Sequence, residues 1–315
     1  MLHVPTHGLR LVAARLCCRH MQKLIASLRS RGLEVNPPAT PEQLEALEAA
    51  LGYPVPAPVR ELYEAFDGIV DDEQGDMWCR IHTLEDTIAA LEDFRAPYEE
   101  VQSPALANVG IPLFNDGGDN YLVYCTLTEC SGRIIYSEHE MTFEPQVIFA
   151  DLREAFEARY ELDDGDLKIP QIYPARAGDF PGDEASADAC IQAWRSNPDE
   201  VGLFFLALAC GVLPREREGE MLTWLNEVDR YSVRPIYDSL GRRRTAEAVP
   251  ALETLMHRTK AAGDSFSSEL GWIAQAIASI DTVEAKEALI RLDRTMPDNT
   301  LKQLIAQVHP DGQAT

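Results

Sequence analysis

Apolar positions recur with a helical period from Met21 to Leu91, with a period of two through the middle of the chain, and with a helical period again after residue 185. Met21 to Arg31 reads as an amphipathic helix stopped by Gly32. Thr40-Pro41-Glu42-Gln43 supplies a capping hydroxyl, a proline suited to the first helical position and a glutamine able to close a capping box. A helix therefore starts there, with Leu44, Leu47 and Leu51 as its stripe and Gly52 as its stop. After Tyr53-Pro54-Val55-Pro56, Val59, Leu62, Tyr63 and Phe66 share one face of a second helix that ends at Asp67-Gly68. Thr83 caps a third, with Leu84, Ile88 and Leu91 inward.

From Gly110 the alternation predicts short strands at Ile111 to Phe114, Tyr121 to Leu127, Gly132 to Tyr136 and Phe143 to Phe149. The turns between them, Asn115-Asp116-Gly117-Gly118-Asp119-Asn120 and Ser131-Gly132, make this an antiparallel meander. A closing helix carries Phe149, Leu152, Phe156 and Tyr160. The breakers Gly165, Pro170, Pro174, Gly178, Pro181 and Gly182 then end regular structure. The expected organisation is a tail over 1–20 that reads as an over-extended start, an α+β domain over 21–160 whose antiparallel sheet is flanked by helices, a linker over 161–184 and an all-α domain over 185–315.

The all-α part contains a repeat. Thr245-Ala246-Glu247-Ala248-Val249-Pro250-Ala251-Leu252-Glu253-Thr254-Leu255 aligns with Thr282-Val283-Glu284-Ala285-Lys286-Glu287-Ala288-Leu289-Ile290-Arg291-Leu292 at a spacing of 37 residues. Upstream, Ile236 and Leu240 align with Ile273 and Ile277. Each unit is a helix, a turn and a second helix, which resembles HEAT-type repeats. Two units cannot enclose a core, so the helices of 186–230 are expected to stack beneath them as a cap.

Charge changes this picture more than composition does. The 315 residues hold 28 Lys plus Arg against 52 Asp plus Glu, a net charge of −24. Residues 1–35 carry 6 bases and 1 acid, residues 36–170 carry 7 and 29, and residues 171–315 carry 15 and 22. The acidity therefore belongs to the α+β domain, whose field repels phosphate backbones and anionic lipid and attracts basic proteins. Nucleic acid and membrane are not expected partners. The longest uncharged apolar run, Val201 to Leu213, is 13 residues, shorter than a membrane span of about 20. Leu11 to Cys18 is broken by Arg15 and lacks a small-residue cleavage site, so a secretory leader is not expected. Seven cysteines at irregular spacing fit reduced thiols, and the expected location is cytoplasmic.

Candidate chemistry is sparse. Cys79, His82, Cys125 and Cys130 offer zinc-type ligands, but the spacing is loose and Cys125 alternates with Tyr121 and Val123 on a core face, so buried thiols are the better reading. The Asn115 to Asn120 turn lacks the distal glutamate of a calcium loop and the Gly-Lys-Ser/Thr ending of a phosphate loop. Ser137 and His139 lie two apart on a strand without a nucleophile elbow. Arg242-Arg243-Arg244 reads as a solvated charge run at a helix C-terminus. No catalytic residue, metal site or cofactor is assigned.

Residues 36 to 160 resemble the SUKH superfamily of Smi/Knr-like regulators and bacterial immunity proteins. The resemblance rests on the helix Pro41 to Leu51, Gly52-Tyr53-Pro54-Val55-Pro56, Val59-Arg60-Glu61-Leu62-Tyr63, Phe66-Asp67-Gly68, Ile111-Pro112-Leu113-Phe114-Asn115-Asp116-Gly117-Gly118-Asp119 and Phe149-Ala150-Asp151-Leu152. Val55 stands where Leu is usual, Asp67 where Asn is usual, and Phe149-Ala150 where Ser-Phe is common. The resemblance implies a non-catalytic α+β domain that binds a cognate protein toxin and neutralises it; the alternative it leaves open is a regulatory adaptor or scaffold. Between Arg60 and Arg80 there are seven acids and no base. Together with the fold resemblance this makes Asp67, Asp71, Asp72, Glu73, Asp76, Asp116 and Asp119 the expected contacts for a basic toxin.

Overall fold

The computed structural model describes residues 21–30, 32–69, 80–115, 120–161, 183–197, 199–229, 232–263 and 269–308. The expected tail over 1–20, and the expected linker over 161–184 apart from its ends, lie outside the described residues. The described chain groups into two compact units: 21–142 with 149–161, and 143–148 with 183–308. The first is an antiparallel sheet flanked by helices; the helices of the second number eight among the described residues.

Local signals fix the helices of the first unit. Helix α1 (21–30) buries Met21, Leu24 and Leu28. Helix α2 (Pro41–Leu51) starts on a complete capping box: Gln43 N–H donates to the Thr40 hydroxyl at 3.3 Å, and Thr40 N–H donates to the Gln43 side chain at 2.8 Å. Helix α3 (Ala57–Ala65) buries Val59, Leu62 and Tyr63, and Phe66 follows it in extended conformation. Helix α4 (Leu84–Glu100) begins on a second box, Thr83 with Asp86. Its inward face differs from the expected one, since Thr87 is fully buried and Ile88 only partly so. The reason is a partner: the Thr87 hydroxyl meets the Tyr63 hydroxyl at 2.7 Å and reaches the Pro112 carbonyl at 3.2 Å.

Four strands of the first unit lie in sequence order, β1 (Arg80–Ile81), β2 (Gly110–Asn115), β3 (Tyr121–Cys125) and β4 (Ile134–Ser137), and β5 (Gln146–Phe149) follows them in the chain. The first four pair antiparallel, with Ile81 opposite Phe114, Phe114 opposite Leu122 and Leu122 opposite Tyr136. Every residue of β3 is buried, so both sheet faces are covered. Side chains alternate along a strand, so Tyr121, Val123 and Cys125 face one side and Leu122 and Tyr124 the other. Phe94 of α4 packs edge-on to Tyr121 at 6.0 Å, and Phe156 of helix α5 (Leu152–Glu161) meets Phe114 at 5.6 Å. Because Phe114 shares a face with Leu122, α4 and α5 cover opposite sides.

The second unit comprises α6 (Asp183–Ser196), α7 (Asp199–Val212), α8 (Glu218–Glu227), α9 (Arg234–Arg243), α10 (Val249–Ala261), α11 (Glu269–Ile280), α12 (Val283–Thr295) and α13 (Asn299–Val308). Phe204 to Val212 of α7 are buried without interruption, so this helix forms the centre of the unit. The 37-residue repeat becomes two hairpins, α9 with α10 and α11 with α12, in which Ile236 and Ile273, Leu240 and Ile277, and Leu252 and Leu289 are fully buried. The corner residues repeat as well: Arg244 and Asp281, 37 positions apart, both take left-handed backbone, at φ 57° and 54°. Gly241 allows α9 to approach α11, since a Cβ there would stand 2.8 Å from the Ala276 carbonyl oxygen.

The arginine run differs from the solvated surface expected of it. Arg244 is exposed and Arg242 half-buried, with burial lowering the Arg242 pKa to about 10. Arg243 is buried, and its Nη2 donates to the Cys210 carbonyl at 2.8 Å and the Gly211 carbonyl at 3.2 Å. Its Nη1 pairs with Glu218 at 3.3 Å, and the Thr245 hydroxyl donates to the same carboxylate at 2.9 Å. The end of α7 lies in the core, where its terminal carbonyls have no water to accept from, and Arg243 supplies the donors. Arg243→Ala leaves Glu218 and both carbonyls short of a partner. It should destabilise the helical unit by about 3–5 kcal/mol, read from urea unfolding through Trp194 and Trp224, whose rings stand 5.4 Å apart. A loss below about 1 kcal/mol, the range of an exposed pair, would contradict this role.

Candidate partner-binding surface

Asp67 is the member of the predicted acidic set that lies among the described residues. It is 8% exposed. Its Oδ1 accepts the Leu84 N–H at 2.7 Å, capping α4, and its Oδ2 accepts from Gln43 Nε2 on α2 at 3.3 Å. The main chain is tied as firmly: Asp67 N–H donates to the Pro37 carbonyl at 3.0 Å, and the Asp67 carbonyl accepts from Asn36 Nδ2 at 2.9 Å. Burial holds the Asp67 carboxyl above the usual aspartate value; the Leu84 and Gln43 hydrogen bonds lower it, and the charges of Asp86 and Glu85 raise it again. Its carboxylate is thus committed to the join between α2, α3 and α4.

The other six predicted contacts, Asp71, Asp72, Glu73, Asp76, Asp116 and Asp119, lie outside the described residues. The bases from which their two segments leave are described. Ile69 N–H donates to the Ile81 carbonyl at 3.2 Å, so 70–79 departs and returns at adjacent points. Gly68, at φ 71°, packs so closely that a Cβ would stand 2.6 Å from the His82 carbonyl oxygen. At the second segment, Asn115 and Tyr121 pair across β2 and β3, and Asn120 Oδ1 accepts the His139 N–H at 2.9 Å. Both segments therefore start from fixed backbone, the usual arrangement for a binding loop. Glu85 and Asp86, on the first turn of α4, are exposed and add negative charge beside Asp67. The sequence carries a signal for them, the acidic first turn Glu85-Asp86 after the Thr83 cap.

Residues 38–158 match the model of the SMI1 / KNR4 family (SUKH-1). The chain carries a SUKH-1 domain. Domains of this family are commonly immunity-protein domains. No curated protein matches the chain.

Among the described residues of the SUKH-1 domain, Cys125, Cys130, His82 and Ser137 are buried and His139 is exposed. Cys125 and Cys130 are fully buried, and the hydrogen bond between their thiols, with burial, raises the Cys125 pKa. Cys79 lies outside the described residues, and His82 is buried with its ring edge-on to Tyr121 at 6.2 Å. Ser137 is buried and hydrogen-bonds Tyr98, whereas His139 Nδ1 lies 3.0 Å from Asn120 Oδ1, so the two do not form a nucleophile and base pair.

The raised Asp67 pKa sets the sign of a pH effect. A carboxyl whose folded value lies above its unfolded value favours folding in its protonated form, a contribution present at acid pH and lost as pH rises through the folded value. Asp67→Asn keeps an acceptor for Leu84 without the charge, so its stability relative to the parent should improve from acid to neutral pH in paired thermal or urea titrations. Asp67→Ala removes the cap and should cost about 1 kcal/mol or more at all pH values. A stability difference for Asp67→Asn that is flat with pH would contradict the assignment.

Proposed function

We propose that this chain is a non-catalytic immunity protein that acts in the cytoplasm, binding a cognate protein toxin and neutralising it. A basic nuclease domain fits its charge best. The observation that carries this reading is the coincidence of the SUKH-1 match over 38–158 with an excess of 22 acidic charges over residues 36–170. A nuclease domain is basic because it holds phosphate, and a concentrated acidic surface competes for the same side chains while steering encounter. In this reading Asp71, Asp72, Glu73, Asp76, Asp116 and Asp119 meet the toxin. Glu85 and Asp86 add to that negative charge, and Asp67 holds the join of α2, α3 and α4. Nucleic acid itself is not a partner in this account.

The repeated hairpins of the helical unit favour a second reading, a Smi/Knr-like adaptor whose helices engage another protein. A gene for a large secreted protein with a C-terminal toxin domain beside this one distinguishes the two, immunity requiring it. Against that toxin domain, the combined Asp71→Lys, Asp72→Lys and Glu73→Lys variant should raise the dissociation constant by at least about tenfold and flatten its dependence on salt. Unchanged affinity and unchanged protection of cells would count decisively against this surface.

A further inference from the structure

One aromatic ring on the helical unit is placed for contact rather than for packing. Trp272 of α11 is 41% exposed, while Trp224 of α8 is 3% exposed. The Arg234 guanidinium carbon, at the start of α9, lies 4.5 Å from the Trp272 ring centroid. Arg234 is in turn held by Asp238 at 3.4 Å and Glu144 at 3.8 Å. Those three side chains are 15%, 24% and 12% exposed, so the stack has a buried polar base beneath an open ring. The fully buried Tyr237 hydroxyl feels Asp238, Glu269 and Arg234 together, which brings a third carboxylate to the same place. Every one of these residues belongs to the helical unit, Glu144 through the 143–148 segment.

Three carboxylates accompany the guanidinium that stacks on the ring. A tryptophan face attracts cations through its quadrupole, and nearby carboxylates strengthen that preference while repelling phosphate. Tryptophan and arginine are also the side chains that most often dominate binding energy at interfaces, above all where the ring is already held in place. We propose that the Trp272 face is a docking site for an arginine or lysine side chain of a basic protein segment. The site rests on the reading that the partner is a basic protein. It adds a contact on the helical unit, separate from the SUKH-1 loops.

The test uses the full chain labelled with 5-fluorotryptophan and an acetylated hexa-arginine amide as probe, followed by fluorine NMR and calorimetry. Trp272→Ala assigns the resonance; Gln275→Lys, exposed and one turn along α11, keeps the ring while adding a repelling charge. Both variants should keep the parent's thermal midpoint, both should bind the peptide about tenfold more weakly, and the Trp272 resonance should shift with saturation. Equal affinity in both variants with a static Trp272 signal would overturn the proposal, as would absence of binding by the parent chain. The Asp71→Lys, Asp72→Lys and Glu73→Lys variant separates the two surfaces. If it binds the peptide as the parent does while Trp272→Ala weakens binding, the loop reading fails and this one stands; if it alone weakens binding, this one fails.

Discussion

Three helices of the SUKH-1 domain meet where a carboxylate has been taken out of water. Asp67 lies just past α3, caps α4 through Leu84, holds α2 through Gln43, and ties its own peptide groups to Asn36 and Pro37. Burying a charge is unfavourable unless its lone pairs are filled, and here each oxygen has a donor. The following Gly68 and Ile69 complete the join by packing on His82 and Ile81. The acidic stretch over 70–79 thus leaves from a point fixed on both sides. Moving it would break capping, turn geometry and strand pairing at once.

The helical unit solves a related problem with the opposite charge. Its central helix, α7, ends inside the core, where carbonyl groups cannot be hydrated, and Arg243 reaches in from α9 to cap them while Glu218 balances its charge. Both units therefore place a buried ion at a helix terminus, a site where the partial charges of unsatisfied backbone groups suit it. Such networks contribute less net stability than their bond count suggests, because desolvation offsets much of the gain. What they supply is a single arrangement of helices.

How much of this was legible follows from the range of each interaction. The capping box at Thr40, the cap at Thr83 and the glycine stop at Gly52 were visible because every participant lies within four residues of the next; the box that Asp86 closes at Thr83 was not read. The repeat was visible because the apolar positions recur at a fixed spacing. Strand β1 was not, since two residues carry no period and Arg80–Ile81 pair only because β2 lies beside them. The burial of Arg243 was hidden for the same reason: its acceptors lie 32 and 33 residues earlier in the chain. Thr87 took the inward place expected of Ile88 because its hydroxyl partners, Tyr63 and Pro112, come from other elements. Asp67 was read from its charge as a contact for a basic partner; its acceptor role needed Leu84 and Gln43 in three dimensions.

The acidic surplus of residues 36–170 links this architecture to the proposed activity. Fold geometry uses Asp67, leaving the surrounding carboxylates available for a long-range field that favours a cationic partner and opposes nucleic acid. The most direct measurement is an inhibition titration: the purified domain of a toxin encoded by a neighbouring gene, where one is found, assayed for its own activity as this protein is added. The account predicts loss of activity that is complete near one equivalent and that weakens as salt is raised. Full toxin activity in the presence of a large excess of folded protein would contradict it.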